Sequence, residues 1–197
     1  MDTKQINEHF RYYLENETQF ISTERYVFFA KKCQNTYSYF FANLLFNICS
    51  DFESLIRTYF KKDNDEPIEI NNIIKLIKSD ERLVDIFDEK AIFKLGDYGE
   101  LSPLKIEHNR KTNKDSFKWW GAYNKIKHNK ASKIHQASQI NVLNALAALY
   151  ILNKYIQVRS CSDIDSDFFI DDKYYFKLNV LKNECIPMNR VFAVPIK

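Results

Sequence analysis

The chain has few of the residues that make tight turns, with 3 glycines and 4 prolines in 197 residues. A β-sandwich or barrel turns often and uses both, so their scarcity favours helices. No Gly-rich phosphate loop, Gly-x-Ser-x-Gly elbow or His-Glu-x-x-His occurs. Three common carriers of nucleotide, esterase and zinc-protease chemistry are therefore missing. The four cysteines, Cys33, Cys49, Cys161 and Cys185, form no Cys-x-x-Cys pair and have no histidine at metal-ligand spacing. They read as reduced, mostly buried thiols, with no metal and no cofactor expected. The N-terminal stretch MDTKQINEHFRYY contains no apolar signal region, and no apolar run approaches the length of a membrane span. A cytoplasmic protein without a membrane partner is expected.

Hydrophobic residues make up 45% of the chain and charged residues 28%, the balance of a globular protein with a sizeable core. The net charge of +3 is mild, but its distribution is uneven. Residues 110–133 carry Arg110, Lys111, Lys114, Lys118, Lys125, Lys127, Lys130 and Lys133 against the single acid Asp115. A local excess of this kind attracts phosphate whatever the total charge.

Hydrophobic periodicity supplies the fold. Residues 2–16 read as a first helix. Tyr37, Phe41, Leu44, Leu45, Ile48, Phe52, Leu55, Ile56 and Tyr59 recur at steps of three and four. That spacing predicts one face of a long helix from about Thr23 to Lys61, stopped by the run DNDEP that ends at Pro67. Ile70, Ile73, Ile74 and Ile77 predict a third helix, and ERLVDIFDEK a fourth piece. Residues 92–115 hold two of the three glycines and read as a loop with a strand pair. Asp115 or Ser116 is expected to cap a helix beginning FKWW. The last helix, about Ile134 to Gln157, contains the strong helix former NVLNALAALYIL. Leu45, Ile48, Phe52, Leu143, Leu146 and Ile151 are the expected core. The tail after Arg159 is aromatic and β-branched, which suggests short strands or an extended wrapping segment. The fold class is mostly α: residues 1–160 as a helical bundle with an irregular insertion at about 91–114, and 161–197 as a partly extended addition packed on it.

The stretch WWGAYNKIKHNK, residues 119–130, is the candidate site. On a helix Trp120, Asn124 and His128 form one column, and Trp119, Tyr123 and Lys127 the next. The two tryptophans belong to the core. Tyr123, Asn124, Lys127 and His128 are left as a polar, cationic group beside it, the candidate catalytic set. His128 is a general acid or base for neutral pH, Lys127 a phosphate ligand, and Asn124 an orienting group. Such a set suits metal-independent RNA cleavage, in which the 2′-hydroxyl attacks the neighbouring phosphodiester. Lys118, Lys125, Lys130 and Lys133 are the candidate RNA-binding lysines. The competing reading makes His128 a residue near a helix end that caps carbonyls or simply faces solvent. His135 lies seven residues on, and the two histidines either share a helix face or flank a bend at Asn129–Ser132. His9 and His108 are expected on the surface, as is Asp51, with Glu53 either exposed or paired to Arg57.

Two segments, 36–60 (TYSYFFANLLFNICSDFESLIRTYF) and 119–152 (WWGAYNKIKHNKASKIHQASQINVLNALAALYIL), resemble the HEPN superfamily. The likeness is to HEPN-like proteins of bacterial phage-defence and abortive-infection systems. It rests on paired tryptophans, then Tyr-Asn-x-x-Lys-His, then an Asn-Ala-Leu-rich helix, and leaves 62–115 and the tail unmatched. It implies an antiparallel helical bundle, homodimers, RNA as partner, ribonuclease activity in active members, and a toxin-like role with a protein partner or antitoxin. The active motif places an arginine a few residues ahead of a histidine. His128 matches the histidine and Asn124 the polar residue between. The arginine positions hold Gly121, Ala122 and Tyr123, so Lys127 or Lys118 would have to bring the charge, without arginine's planar fork. Alongside the ribonuclease stands a non-catalytic, dimerising module that binds nucleic acid or a protein.

Overall fold

The computed structural model describes residues 1–62, 68–93, 97–160 and 192–193. Within them the chain is mostly helical, a bundle of α1 (Thr3–Ser22), α2 (Tyr39–Phe60), α3 (Ile70–Ser79), α4 (Lys118–His128), the single turn α5 (Lys130–Lys133) and α6 (Gln139–Ser160). No described helix is long and apolar enough to cross a membrane.

The bundle is organised around α6. Residues Val142, Leu143 and Ala145 to Gln157 are all buried, so this helix is enclosed on every side rather than on one stripe. Its run of alanines lets α1, α2 and α4 approach closely. Side-chain register fixes the directions. Tyr13 meets Tyr150 at 5.2 Å and Phe10 lies under the Lys154 ammonium at 4.3 Å, so α1 runs antiparallel to α6. His9 reaches Thr58 and Asn16 reaches Asp51, so α1 is antiparallel to α2 as well. The six residues expected in the core, Leu45, Ile48, Phe52, Leu143, Leu146 and Ile151, are all buried.

Short strands fill the insertion. β1 (Ala91–Phe93) pairs antiparallel with β2 (Gly99–Leu101), and Ala91 faces Leu101. On its other edge β1 pairs with β5 (Phe192–Ala193). β3 (Glu107–Asn109) and β4 (Lys114–Ser116) make a separate hairpin. The Asn109 carboxamide accepts from the backbone N–H groups of Lys111 and Thr112 within its turn, and Asn113 takes the left-handed conformation at φ 52°. The insertion thus holds two strand pairs rather than one. The expected stop at DNDEP and the tail apart from β5 lie outside the described residues.

Several boundaries differ from the periodicity. The first helix runs to Ser22 instead of residue 16, because Phe20 is buried and stacks on Phe29 at 4.9 Å. The second begins at Tyr39 instead of Thr23. Ser38 caps it, accepting from the Phe41 N–H at 3.0 Å. The chain before it is committed elsewhere: the Gln34 and Thr36 carbonyls accept from the backbone N–H groups of Ile140 and Gln139, and Tyr37 bridges Ser138. Tyr37, expected on the apolar face of that helix, is consequently 52% exposed. The same contacts set the start of α6 at Gln139 instead of Ile134; residues 134–136 form a separate 3-10 turn. Residues 84–88 are likewise a 3-10 turn.

The cap of α4 is Phe117, not Asp115 or Ser116. The Asp115 carboxylate is already taken by His108 at 2.9 Å and Lys78 at 3.1 Å, which hold it below its usual range, His108 most strongly. Two expected surface residues are drawn inward where α1 meets α2. His9 is buried, its Nε2 3.1 Å from the Thr58 hydroxyl, and its Nδ1 has no hydrogen-bond partner among the described residues. Asp51 is half-buried and accepts from the Asn16 amide at 2.6 Å; burial raises its carboxyl despite that bond. Glu53 does pair with Arg57, at 2.8 Å.

Candidate nucleic-acid interface

The site is built where α4 leaves the core. Trp119 and Trp120 anchor its first turn, both buried. The Trp119 indole N–H donates to the Pro103 carbonyl at 2.8 Å, and its ring stacks on Phe117 at 5.6 Å and meets Phe52 edge-on at 5.3 Å. These contacts satisfy the indole and fix the rotation of α4 about its axis.

That rotation decides which of the following residues share a surface. Tyr123 packs between Trp120, at 5.2 Å, and Phe46 of α2, at 5.4 Å. One turn on, the Lys127 ammonium lies 5.6 Å from the Tyr123 ring centroid. After α4 ends, Lys130 reaches back to α2, 5.8 Å from both the Tyr39 and Phe46 rings and 3.3 Å from the Asn43 carboxamide oxygen, to which it donates. Phe52 opposite Trp119, Phe46 opposite Tyr123 and Tyr39 opposite Lys130 show α4 antiparallel to α2. The product is a shelf of aromatic rings carrying two ammonium groups.

Burial is the main influence on Tyr123 and raises its phenol pKa, with Lys127 opposing it, so the group stays protonated at neutral pH. Beneath it Cys49 is buried, and burial together with Glu53 pushes its thiol well up. A thiol so placed is not a nucleophile. Among the described residues no group of three His, Cys, Asp or Glu side chains could hold a metal ion.

The predicted residues divide. Asn124 and His128 follow Trp120 up one column of α4, Asn124 half-buried and His128 exposed. His128 makes no hydrogen bond to a described residue. The chain breaks directly after it, at Asn129 (φ −152°, ψ 73°), whose carboxamide caps α5 by accepting from the Ser132 N–H. His128 and His135 therefore flank a bend and share no helix face. Lys125 lies two residues from Lys127, some 200° around the helix, and joins Lys118 on the other side. Lys118 borders a separate cleft of about 210 Å³ with Ser102, Lys105, Glu107 and Asn144. The structure brings Tyr123, Lys127 and Lys130 together, sets His128 and Asn124 beside them, and leaves Lys118 and Lys125 apart. Lys133 is exposed on α5.

The α2 half of the shelf, Tyr39, Asn43 and Phe46, was not among the expected site residues. A signal existed in SYFF, where Ser38 can cap a helix, so that Tyr39 opens the first turn and need not be core. Comparison with protein-family models, curated proteins and solved structures finds no match for this chain.

Proposed function

We propose that this protein is a HEPN-like helical bundle that binds RNA where α4 meets α5. One observation carries the reading: Lys127 and Lys130 converge over the Tyr39–Phe46–Tyr123 shelf beside the exposed His128. No Asp or Glu occurs anywhere from Ser116 to Ser160. Glu53 of α2, whose charge is felt at Tyr123 and Cys49, is paired with Arg57 at 2.8 Å. The lysines attract phosphate, and an exposed imidazole at the same edge offers further hydrogen bonds. The positions where the resemblance calls for arginine hold Gly121, Ala122 and Tyr123, so Lys127 brings the charge from beside His128, as a point charge rather than a fork.

Strand cleavage is the enzymatic form of this reading. A base takes the 2′-hydroxyl proton, the oxygen attacks phosphorus, and the 5′-oxygen leaves with a proton from an acid. His128 can fill one of those roles, with Asn124 or Tyr123 orienting the phosphate. The other role falls to His128 of a second copy in a two-fold dimer. The binding-only form has a specific observation in its favour, since a single chain presents one histidine at the shelf with no described partner to orient it. Membership of a phage-defence or toxin system, with an antitoxin or other protein partner, is part of the same proposal.

Incubation of the purified protein with total RNA in the presence of EDTA separates the forms. The expected result is RNA retained at low ionic strength and left intact, with binding by His128→Ala nearly intact. Cleavage that disappears in His128→Ala would assign the enzymatic form. No retention at low ionic strength would remove RNA from the account.

A further inference from the structure

We infer that the segment Tyr26–Phe40 is a stacking platform for unpaired bases, which makes the RNA bound at the α4–α5 junction single-stranded. The inference rests on the RNA-binding reading above and adds to it the class of RNA. Five large aromatic side chains in this segment stand in water: Tyr26, Phe28, Tyr37, Tyr39 and Phe40, with Tyr39 68% exposed. Only two other large hydrophobic side chains, Tyr12 and Val84, are comparably exposed among the described residues. A folded chain that leaves scattered rings in solvent is ordinary, but five within one short segment form a concentrated surface.

The segment is held to the candidate interface by its backbone. Gln139 and Ile140 donate to the Thr36 and Gln34 carbonyls, the Gln139 carboxamide donates to the Phe28 carbonyl, and Tyr37 bridges Ser138. Residues 134–140 follow directly on α5, and Lys130 of α5 lies over the Tyr39 ring, which joins the segment to the interface lysines. Ser38 is extended between Tyr37 and Tyr39, at φ −158° and ψ 165°. Their Cα atoms lie roughly 6.6 Å apart, two residues of an extended chain.

Charge selects the occupant. The Lys130 ammonium sits 5.8 Å from the Tyr39 ring centroid, and the Arg25 guanidinium covers the Tyr26 ring at 4.9 Å. Residues 25–40 include Lys31 and Lys32 and no acid. One carboxylate touches the segment: Asp97 accepts the Lys31 backbone N–H at 2.6 Å. Exposed rings with cations beside them match a polymer of flat bases and phosphates. A duplex keeps its base faces stacked internally and offers those rings nothing, whereas an unpaired strand offers a face per nucleotide.

The test measures binding of three labelled probes of about 12 nucleotides, a length within the usual range for such platforms: an unstructured RNA, the same RNA annealed to its complement, and the same backbone without bases. The wild-type protein is expected to prefer the base-bearing single strand to both others by at least about fivefold, the lower end of what stacking on one ring supplies. Tyr37→Ala/Tyr39→Ala should erase the preference and leave the salt dependence intact, while Tyr39→Phe retains it. The base-free probe tests the wild type alone, so the inference stays exposed even should the double variant misfold. Equal wild-type affinity for the base-bearing and base-free strands overturns the platform and leaves phosphate binding standing. Failure to bind any probe removes the RNA reading itself. A double variant that binds all probes like wild type but loses self-association would make the rings a contact between copies and overturn the inference.

Discussion

Two aromatic clusters lie a few turns apart on the same pair of helices and have opposite fates. Phe52, Phe117, Trp119 and Trp120 are buried against α6 and one another, with the one indole N–H of Trp119 satisfied by Pro103. Tyr37, Tyr39 and Phe40 stand in water at the other end of α2. The residue types are alike, so the difference is one of neighbours. Where α4 begins, rings close over rings and exclude solvent. Where it ends, lysines take the place of rings, and an ammonium is costly to take out of water. The first cluster holds the bundle together, and the second is left available to a ligand.

Stability measurements should break the clusters apart most sharply. Phe52→Ala is expected to destabilise by about 3–5 kcal/mol in urea unfolding, because it opens a cavity under three rings. Tyr39→Ala should change stability by no more than about 0.5 kcal/mol, as an exposed side chain does. Similar losses from both would mean that the exposed cluster is structural.

The next largest effect is expected in binding. Lys127→Glu/Lys130→Glu should weaken affinity for a single-stranded RNA and lower the slope of log affinity against log salt by about 1.4, two contacts at about 0.7 each. Lys125→Glu, on the far side of α4, should change both much less. Equal effects would show that the charge acts as a diffuse field and that the shelf has no special place.

How much of this was legible in the sequence follows from the range of each signal. The core was legible: the α2 face and the alanine-rich α6 repeat at helical spacing, and Leu45, Ile48, Phe52, Leu143, Leu146 and Ile151 are all buried. The bend between His128 and His135 was open to reading, because Asn129 to Ser132 is a poor helix interior. The start of α2 was not. Tyr37 keeps the helical step to Phe41, and only the pairing of residues 34–37 with 138–140 takes it out of the helix. Long-range backbone contacts leave no periodic trace. The division of the lysines was hidden for a related reason, since Lys125 and Lys127 are neighbours in sequence and nearly opposite on the helix. His9 and Asp51 looked like surface residues because neither carries a partner within reach along the chain.

The smallest expected effect concerns that inward-drawn pair and says whether α1 is packed as described. Burial holds the His9 pKa below its ordinary value of 6.5, against the opposing charge of Glu8. The unfolded chain therefore takes up a proton first, and stability should fall as pH drops from about 6.5 through the lowered folded value. His9→Gln should flatten that dependence in thermal melts between about pH 7 and pH 5. An unchanged profile would place His9 in solvent.

The most direct test of the central claim is the salt dependence of RNA binding by the wild-type protein and by Lys127→Glu/Lys130→Glu. Fluorescence anisotropy with one unstructured RNA, over a series of salt concentrations, gives both slopes. The account predicts affinity that falls steadily with salt in the wild type, and a weaker, flatter line in the variant. A wild-type line that does not change with salt, or two lines that coincide, would contradict it.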